Sequence, residues 1–279
     1  MGLARTLRFI TTHPMTREQP LAAVARYVKW QVQSRLQDEV VHDWIGGAKL
    51  AVRRGMTGAT GNIYCGLHEF VDMSFVLHVL RPGDLFIDAG ANVGSYTVLA
   101  AAVAGADVVA FEPDPGTVRA LRRNVELNRV AARVDVRECA LGAESGIADF
   151  TVGRDTTNRI AQPSDTGTRR VPLTTLDAVL DGRPPTLIKL DVEGYEPEVL
   201  AGAGKSLAAA SLLAVIAEGS GSGTVDVLSG FGFARAYYDP PARRLLDSPR
   251  WRHGHTNELF VRNRAEIDAR LAAGSPAGA

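Results

Sequence analysis

Short apolar runs, each closed by acids or glycines, recur along the chain. Leu85-Phe-Ile87, Val108-Val-Ala-Phe111, Leu187-Ile-Lys-Leu190 and Leu212-Leu-Ala-Val-Ile-Ala217 have the length and composition of buried strands. Arg133-Val-Asp-Val-Arg-Glu138, Phe233-Ala-Arg-Ala-Tyr-Tyr238 and Glu258-Leu-Phe-Val261 predict three more. Helical stretches separate them. One runs from Ser95 to its stop at Gly105. Another opens at Asp114-Pro115, turns Val118, Leu121 and Val125 inward and ends near Asn128. Others start at Pro197 and Thr224, and Arg264 to Ala273 predicts the last. Short β-α-β spacing predicts a parallel sheet. The last two strands have no helix between them, which predicts an antiparallel edge. The fold class is therefore α/β, with about seven strands.

Residues 1–80 form a cap before this pattern, 81–264 carry it, and 265–279 give a C-terminal helix and a frayed tail. In the cap, Pro20 opens a helix in which Leu21, Ala25, Val28, Val32 and Leu36 share one face. That face predicts packing against the main domain, with a homo-oligomer or other partner surface as the alternative. Lys49-Leu-Ala-Val52 and Asn62-Ile-Tyr-Cys65 are expected to pair as a hairpin, and His68 to Leu80 to form a helix. Further on, Ala148 to Val152 predicts an added strand. Asp155 to Arg170 is polar and is expected to be a connection or a loop over a pocket. Thr174-Thr-Leu-Asp177 predicts a capping box.

Composition narrows the function classes. Hydrophobic residues make up 46% and charged residues 22%, as in a water-soluble globular protein. The formal net charge of +0 gives no global reason to expect nucleic acid. The two cysteines provide neither a disulfide framework nor a metal-binding CxxC. No run suits a membrane span or a signal peptide, so a cytoplasmic protein is expected.

The candidate chemistry lies at the strand ends, where open α/β sheets bind ligands. Asp88-Ala-Gly90-Ala-Asn92-Val-Gly94 is a small-residue turn between a strand and a helix. Its spacing differs from the Gly-x-Gly-x-x-Gly that docks a diphosphate, and it suits a nucleoside ligand without phosphates, such as S-adenosylmethionine. Asp88 is expected to orient the turn and the ligand's amino group. Glu112 closes the next strand, where a carboxylate can accept both hydroxyls of a ribose. Further polar clusters follow at Glu138 to Ala140 and at Asp191 to Gly194.

Asp88-Ala-Gly-Ala-Asn-Val-Gly-Ser-Tyr96, Phe111-Glu-Pro-Asp114, Thr175-Leu-Asp177, Ile188-Lys-Leu-Asp-Val-Glu-Gly-Tyr-Glu196 and Asn257-Glu-Leu-Phe-Val261 together resemble the motifs of FkbM-type methyltransferases. The likeness covers roughly residues 60–262. It implies a Rossmann-like class I methyltransferase fold, with seven strands and an antiparallel last strand. It also implies an S-adenosylmethionine-dependent O-methyltransferase. Members often modify hydroxyls of natural products, sugars or glycolipids. By this resemblance Gly90, Asn92 and Gly94, continuing into Ser95 and Tyr96, would hold the methionine end of the cofactor. Glu112 beside Asp114 would hold the ribose, and Glu138, Cys139 and Ala140 the adenine side.

An alcohol acceptor keeps its proton until late, so a base must stand near the methyl group. Asp191 and Glu193 close the fourth strand and are the candidates, with Asp191 also near the cofactor. His255 rivals them, as do His253, His68 and Glu69, and Asn257 lies close by. No ligand spacing calls for a metal. The acceptor is expected to be a hydroxylated small molecule, bound by segments near 60–75, 154–170 and 240–257, which carry Tyr64, His68, Arg154, Arg159, Tyr237, Tyr238, Trp251 and His255. The alternatives are an NAD(P)-dependent oxidoreductase or epimerase, and a non-catalytic cofactor-binding module.

Overall fold

The computed structural model describes residues 2–153, 157–219, 221–251 and 257–274. Helices α1 (Leu3–Thr12) and α2 (Pro20–Leu36) lead into the hairpin β1 (Val40–Asp43) and β2 (Lys49–Val52). Helices α3 (Thr57–Cys65) and α4 (Phe70–Val79) then bring the chain to the main sheet. The expected hairpin is thus corrected. Lys49–Val52 pairs with β1, and Asn62 to Cys65 is the end of a helix. A Cβ added to Gly61 would stand 2.5 Å from the His68 ring, so this helix packs closer than a side chain at that position would allow.

Strand β3 (Leu85–Ala89) begins the sheet. It is followed by α5 (Ser95–Val98), which widens into a π turn over Leu99–Val103. Next come β4 (Asp107–Phe111), α6 (Pro115–Leu127) and β5 (Val134–Arg137). Asp114 caps α6 as its Asp-Pro start predicts, its Oδ2 accepting the Thr117 amide at 2.8 Å. A small side sheet follows, made of β6 (Ala140–Leu141), β7 (Gly146–Thr151) and β8 (Thr168–Thr174). The polar stretch to Arg170 therefore ends inside a strand. In α7 (Leu176–Leu180) the cap is Thr175, whose Oγ1 accepts the Ala178 amide at 3.1 Å. Asp177 does not close the expected box. It accepts the amides of Lys205 and Ser206 at 2.7 and 2.8 Å, tying α7 to the next helix pair.

The chain continues through β9 (Leu187–Leu190), α8 (Glu196–Ala201), α9 (Gly204–Ala208), β10 (Ala214–Glu218) and α10 (Ser222–Gly230). It finishes with β11 (Ala234–Asp239), β12 (Arg244–Leu246), β13 (Asn257–Val261) and α11 (Arg264–Ala272). The main sheet has the order β12-β11-β13-β10-β9-β3-β4-β5. All seven expected strands are in it. The eighth, β12, is three residues long and too short to show a period. Strand β13 runs antiparallel to both β10 and β11. It sits between them, inside the sheet and not at the edge that the chain order suggested.

Two apolar layers cover the sheet. Phe86, Leu187, Ala214, Ile216, Leu259 and Val261 face the layer that includes α4, and Ile87, Ile188, Leu190, Val215, Ala217 and Phe260 face the other. The α2 stripe does not join either. Ala23, Trp30 and Ser34, on its opposite side, are buried, whereas Leu21, Val28, Val32 and Leu36 are 84%, 52%, 53% and 78% exposed. No described helix is long and apolar enough to cross a membrane.

Candidate active site

The β3–α5 turn uses its own amides. Those of Gly90 and Ala91 donate to the Phe111 carbonyl at 3.0 and 2.9 Å, and that of Asn92 to Glu112 Oε2 at 3.1 Å. Val93 donates to Asn92 Oδ1 at 2.7 Å and Gly94 to the Ala91 carbonyl at 2.9 Å. Five consecutive amides, Gly90 to Gly94, are satisfied inside the protein, so the turn itself presents no nest of free donors. Gly90, Asn92 and Gly94 take φ values of 80°, 51° and 90°. At Gly90 the need is also steric, because a Cβ there would stand 1.8 Å from the Asp191 carbonyl oxygen.

A cavity of about 320 Å³ opens beside this turn, at the carboxyl ends of β3, β4, β9 and β10 and against α4. Its wall includes Asp88, Gly90, Asn92, Ser95, Tyr96, Glu112, Cys139, Ala140, Asp191 and Glu193. Gly94, Asp114 and Glu138 stand behind it. Gly94 packs on Leu121, Asp114 binds α6 and Arg169, and exposed Glu138 faces Arg122. His255, with His253 and Arg154, lies outside the described residues.

Glu112 is 7% exposed. Its two oxygens accept the Asn92 and Asp114 amides at 3.1 and 2.9 Å. Burial outweighs these bonds and pushes its carboxyl up to about 7. Asp88 is wholly buried. Its Oδ2 accepts the Thr97 hydroxyl at 2.6 Å and its Oδ1 has no partner. Burial raises this carboxyl too, though the nearby Lys189 opposes the shift. Ser95 Oγ accepts a hydrogen bond from Asn62 Nδ2 at 3.1 Å, which clips α3 onto the turn.

Strand alternation explains the opposite end of the cavity. Asp88 and Lys189 are direct neighbours across β3 and β9, and Glu218 is paired with Asn257 across β10 and β13. All four lie on the α4 side of the sheet, in phase with Phe86, Leu187, Ile216 and Leu259. Lys189 Nζ lies 2.6 Å from Asp191 Oδ2 and 4.5 Å from the centre of the Tyr96 ring. Burial works against the lysine's charge, but Asp191, Glu69 and Asp88 more than offset it, so its pKa is raised. In return, Lys189 holds Asp191 below the usual carboxylate range in spite of burial. Glu218 is pushed up to about 8, first by burial and then by the neighbouring Asp191 carboxylate. Glu193, at φ 55°, completes a trio with these two, one oxygen of each lying within 4.8 Å of the others.

Helix α4 and the turn before it supply Asp72 and Glu69. Asn257 Nδ2 donates to Asp72 Oδ2 at 3.1 Å and to Glu69 Oε1 at 3.2 Å. Beyond this bridge lies a second cavity of about 400 Å³, lined by Tyr237, Tyr238, Trp251, Arg235 and Arg250. Tyr64 is elsewhere, edge-on to Tyr27. The sequence reading passed over Glu218 and Asp72. Glu218 could have been found by the rule that selected Glu112 and Asp191, as an acid at the carboxyl end of a buried strand. Asp72 sits in an apolar helix and carries no local signal.

Comparison with known proteins agrees with this picture. A family model described as the methyltransferase FkbM domain matches residues 88–227. The 31-O-demethyl-FK506 methyltransferase FkbM of Streptomyces tacrolimicus is 39% identical over 110 residues, covering 38% of this chain and 42% of that protein. The hexuronic acid methyltransferase AglP of Haloferax volcanii is 28% identical over 143 residues, covering 50% of this chain and 58% of that protein. Methyltransferase 1 of Beauveria bassiana is 27% identical over 159 residues, covering 48% and 64%. The matches thus span about half the length of these relatives.

Proposed function

Since the chain belongs to the methyltransferase FkbM domain family, whose cofactor is S-adenosylmethionine, we propose that it transfers a methyl group to a hydroxyl of a small molecule. The observation that carries the reading is the Asp191–Glu218 pair, at the end of a cavity whose other end is Glu112 and the glycine turn. The cavity fits the cofactor. Its wall is acidic, with Lys189 the exception, as a ligand bearing a sulfonium and an ammonium requires. Each Glu112 oxygen accepts one amide and retains a lone pair for a ribose hydroxyl. The unpartnered Asp88 Oδ1 can accept from the ammonium. When bound, the cofactor supplies an already activated methyl group.

The protein has to place the acceptor oxygen in line and remove its proton. Near neutral pH the Asp191–Glu218 pair holds one proton between two carboxyls. Lys189 keeps Asp191 ionised, and that charge helps to keep Glu218 protonated. Once the pair loses its proton, at about pH 8, Glu218 is the base. Tyr96, Glu69 and Glu218 line the same cavity and are the groups the acceptor would meet there. The hydroxyl class is supported by this carboxylate base and by one relative's name, which specifies an O-methyl position.

Transfer of labelled methyl from S-adenosylmethionine to hydroxylated acceptors tests the reading, alongside calorimetry with S-adenosylhomocysteine and NAD. Tight binding of S-adenosylhomocysteine and none of NAD is expected. Lys189 already places positive charge beside the acids, so chelation by EDTA should leave turnover unchanged. Loss of turnover in EDTA, restored by Mg2+, would put a divalent cation on Asp191, Glu193 and Glu218.

A further inference from the structure

Seven of the eight large apolar side chains that are exposed among the described residues lie between Leu3 and Val41. Four of them, Leu21, Val28, Val32 and Leu36, join exposed Ala25 in a stripe along α2. The stripe stands opposite Ala23, Trp30 and Ser34, which fix the helix to the protein, and Arg26 anchors it further by donating to the Tyr64 carbonyl at 2.9 and 3.0 Å. The helix therefore needs no rearrangement to present this face. Over its 17 residues it is about 25 Å long.

Charge says what the face meets. Lys29 and Arg35 are exposed and border the stripe on its two sides. Helix α2 has no acidic residue, and α1 adds exposed Arg5 and Arg8. Up to Leu36 the chain has six basic residues and one acidic, although its total formal charge is +0. An apolar stripe edged by cations matches the acyl boundary and phosphates of an anionic bilayer. A second copy matches it poorly. Pairing two such helices would bring cations against cations along their length, and the acids nearest to them, Glu18 and Asp38, lie beyond the helix ends. It would also cover at most roughly 500 Å² per copy, against about 800 Å² per partner in a standard interface.

We propose that α2 docks this protein on the surface of an anionic membrane, lying in the interface plane with Leu21, Val28, Val32 and Leu36 inserted. Co-sedimentation of the full chain with phosphatidylcholine vesicles, with and without one-third phosphatidylglycerol, tests this. Binding should be at least tenfold stronger to the anionic vesicles and should weaken in high salt. Lys29→Glu with Arg35→Glu should reduce it more than tenfold, each lost cation being worth roughly fivefold. Val28→Glu with Val32→Glu should abolish it. Because these side chains are exposed, both double variants should keep the wild-type melting temperature and affinity for S-adenosylhomocysteine, which separates loss of docking from loss of fold. Equal binding to neutral vesicles, or binding that survives Val28→Glu with Val32→Glu, would overturn the proposal. So would a dimer in light scattering that the same pair of changes splits, since the stripe would then belong to a second copy.

Discussion

The two ends of the cavity are built in opposite ways. The turn end is nearly contiguous in sequence, running from Asp88 to Gly94 and joined by Glu112, and its main-chain amides hold it by donating to the Phe111 carbonyl and the Glu112 carboxylate. The acid end gathers Glu69 and Asp72 from α4 and its approach, Lys189 and Asp191 from β9 and just beyond it, Glu218 from β10 and Asn257 from β13. Side-chain charge holds that end. The difference teaches what each can tolerate. A backbone-built end fails through shape, so an added methyl group is enough to break it. A charge-built end keeps its shape when a carboxyl becomes an amide, and loses its proton chemistry.

The sharpest way to break the comparison is therefore at the turn. Gly90→Ala forces a Cβ to within 1.8 Å of the Asp191 carbonyl, at a φ of 80° that alanine disfavours. Strands β3 and β9 must part or the turn must refold, at a cost of about 3 kcal/mol or more. A melting temperature lower by several degrees and S-adenosylhomocysteine affinity reduced more than a hundredfold are expected. Wild-type affinity in this variant would mean that the turn is not rigid.

At the acid end, Glu218→Gln should lower kcat about 10²–10⁴-fold, the usual worth of a general base, with little change in S-adenosylhomocysteine affinity. Burial and Asp191 push its carboxyl up to about 8 in the free protein, so wild-type kcat/KM should rise with pH up to that value and then level. The glutamine variant should lack the rise. A retained profile would move the base to Asp191 or Glu193.

The same contrast governs what the sequence discloses. Asp88 to Gly94 could be read directly because a turn of small residues leaves its mark within a few positions, and its departure from the phosphate-type glycine spacing has a physical meaning. The strands and their mostly parallel pairing were legible from apolar runs and connection lengths. The place of β13 inside the sheet was not, because two adjacent strands in sequence say nothing about which neighbour each will choose. The face of α2 was assigned inward since its five aliphatic residues share a stripe. Trp30, with Ala23 and Ser34, packs on the opposite side, and the aliphatic period alone carries no sign of which face the rest of the fold covers. The acid end is the least legible part. Asp72 is a single carboxyl in the apolar run Phe70 to Val79, and its meaning comes from Asn257, 185 positions away.

A milder test returns to the turn end. Glu112→Gln keeps the size of the side chain and one acceptor oxygen, but puts an amide nitrogen against the Asn92 or Asp114 amide and removes charge from the ribose side. Loss of a charge-assisted hydrogen bond is worth about 1.5–3 kcal/mol, which is roughly 10- to 100-fold in S-adenosylhomocysteine affinity. At saturating cofactor kcat should change less than threefold, because strands β3 and β9 lie between β4, which Glu112 follows, and Glu218 on β10. A large drop in kcat with unchanged affinity would reverse the roles of the two ends.

The smallest effect expected is at Asp72, and it reports on stability and not on turnover. Its carboxyl is 6% exposed, and burial, helped by the charge of Glu69, pushes it up to about 7 from 3.8. Between those two values the folded protein keeps a proton that the unfolded chain has released. Stability therefore falls as pH rises through this window and levels above about 7. Asp72→Asn cannot titrate, yet its side-chain oxygen can still accept from Asn257 Nδ2, which now donates to Asp72 at 3.1 Å. The variant should fold, and its melting temperature should decline less than the wild type's between pH 5 and pH 8. A difference of a few degrees is expected, since for a chain of this size each kcal/mol moves the melting temperature by about 2–4 °C. Parallel curves for the two proteins would show that Asp72 is ionised across the whole range. The acid end would then carry one more negative charge at neutral pH than its buried geometry implies.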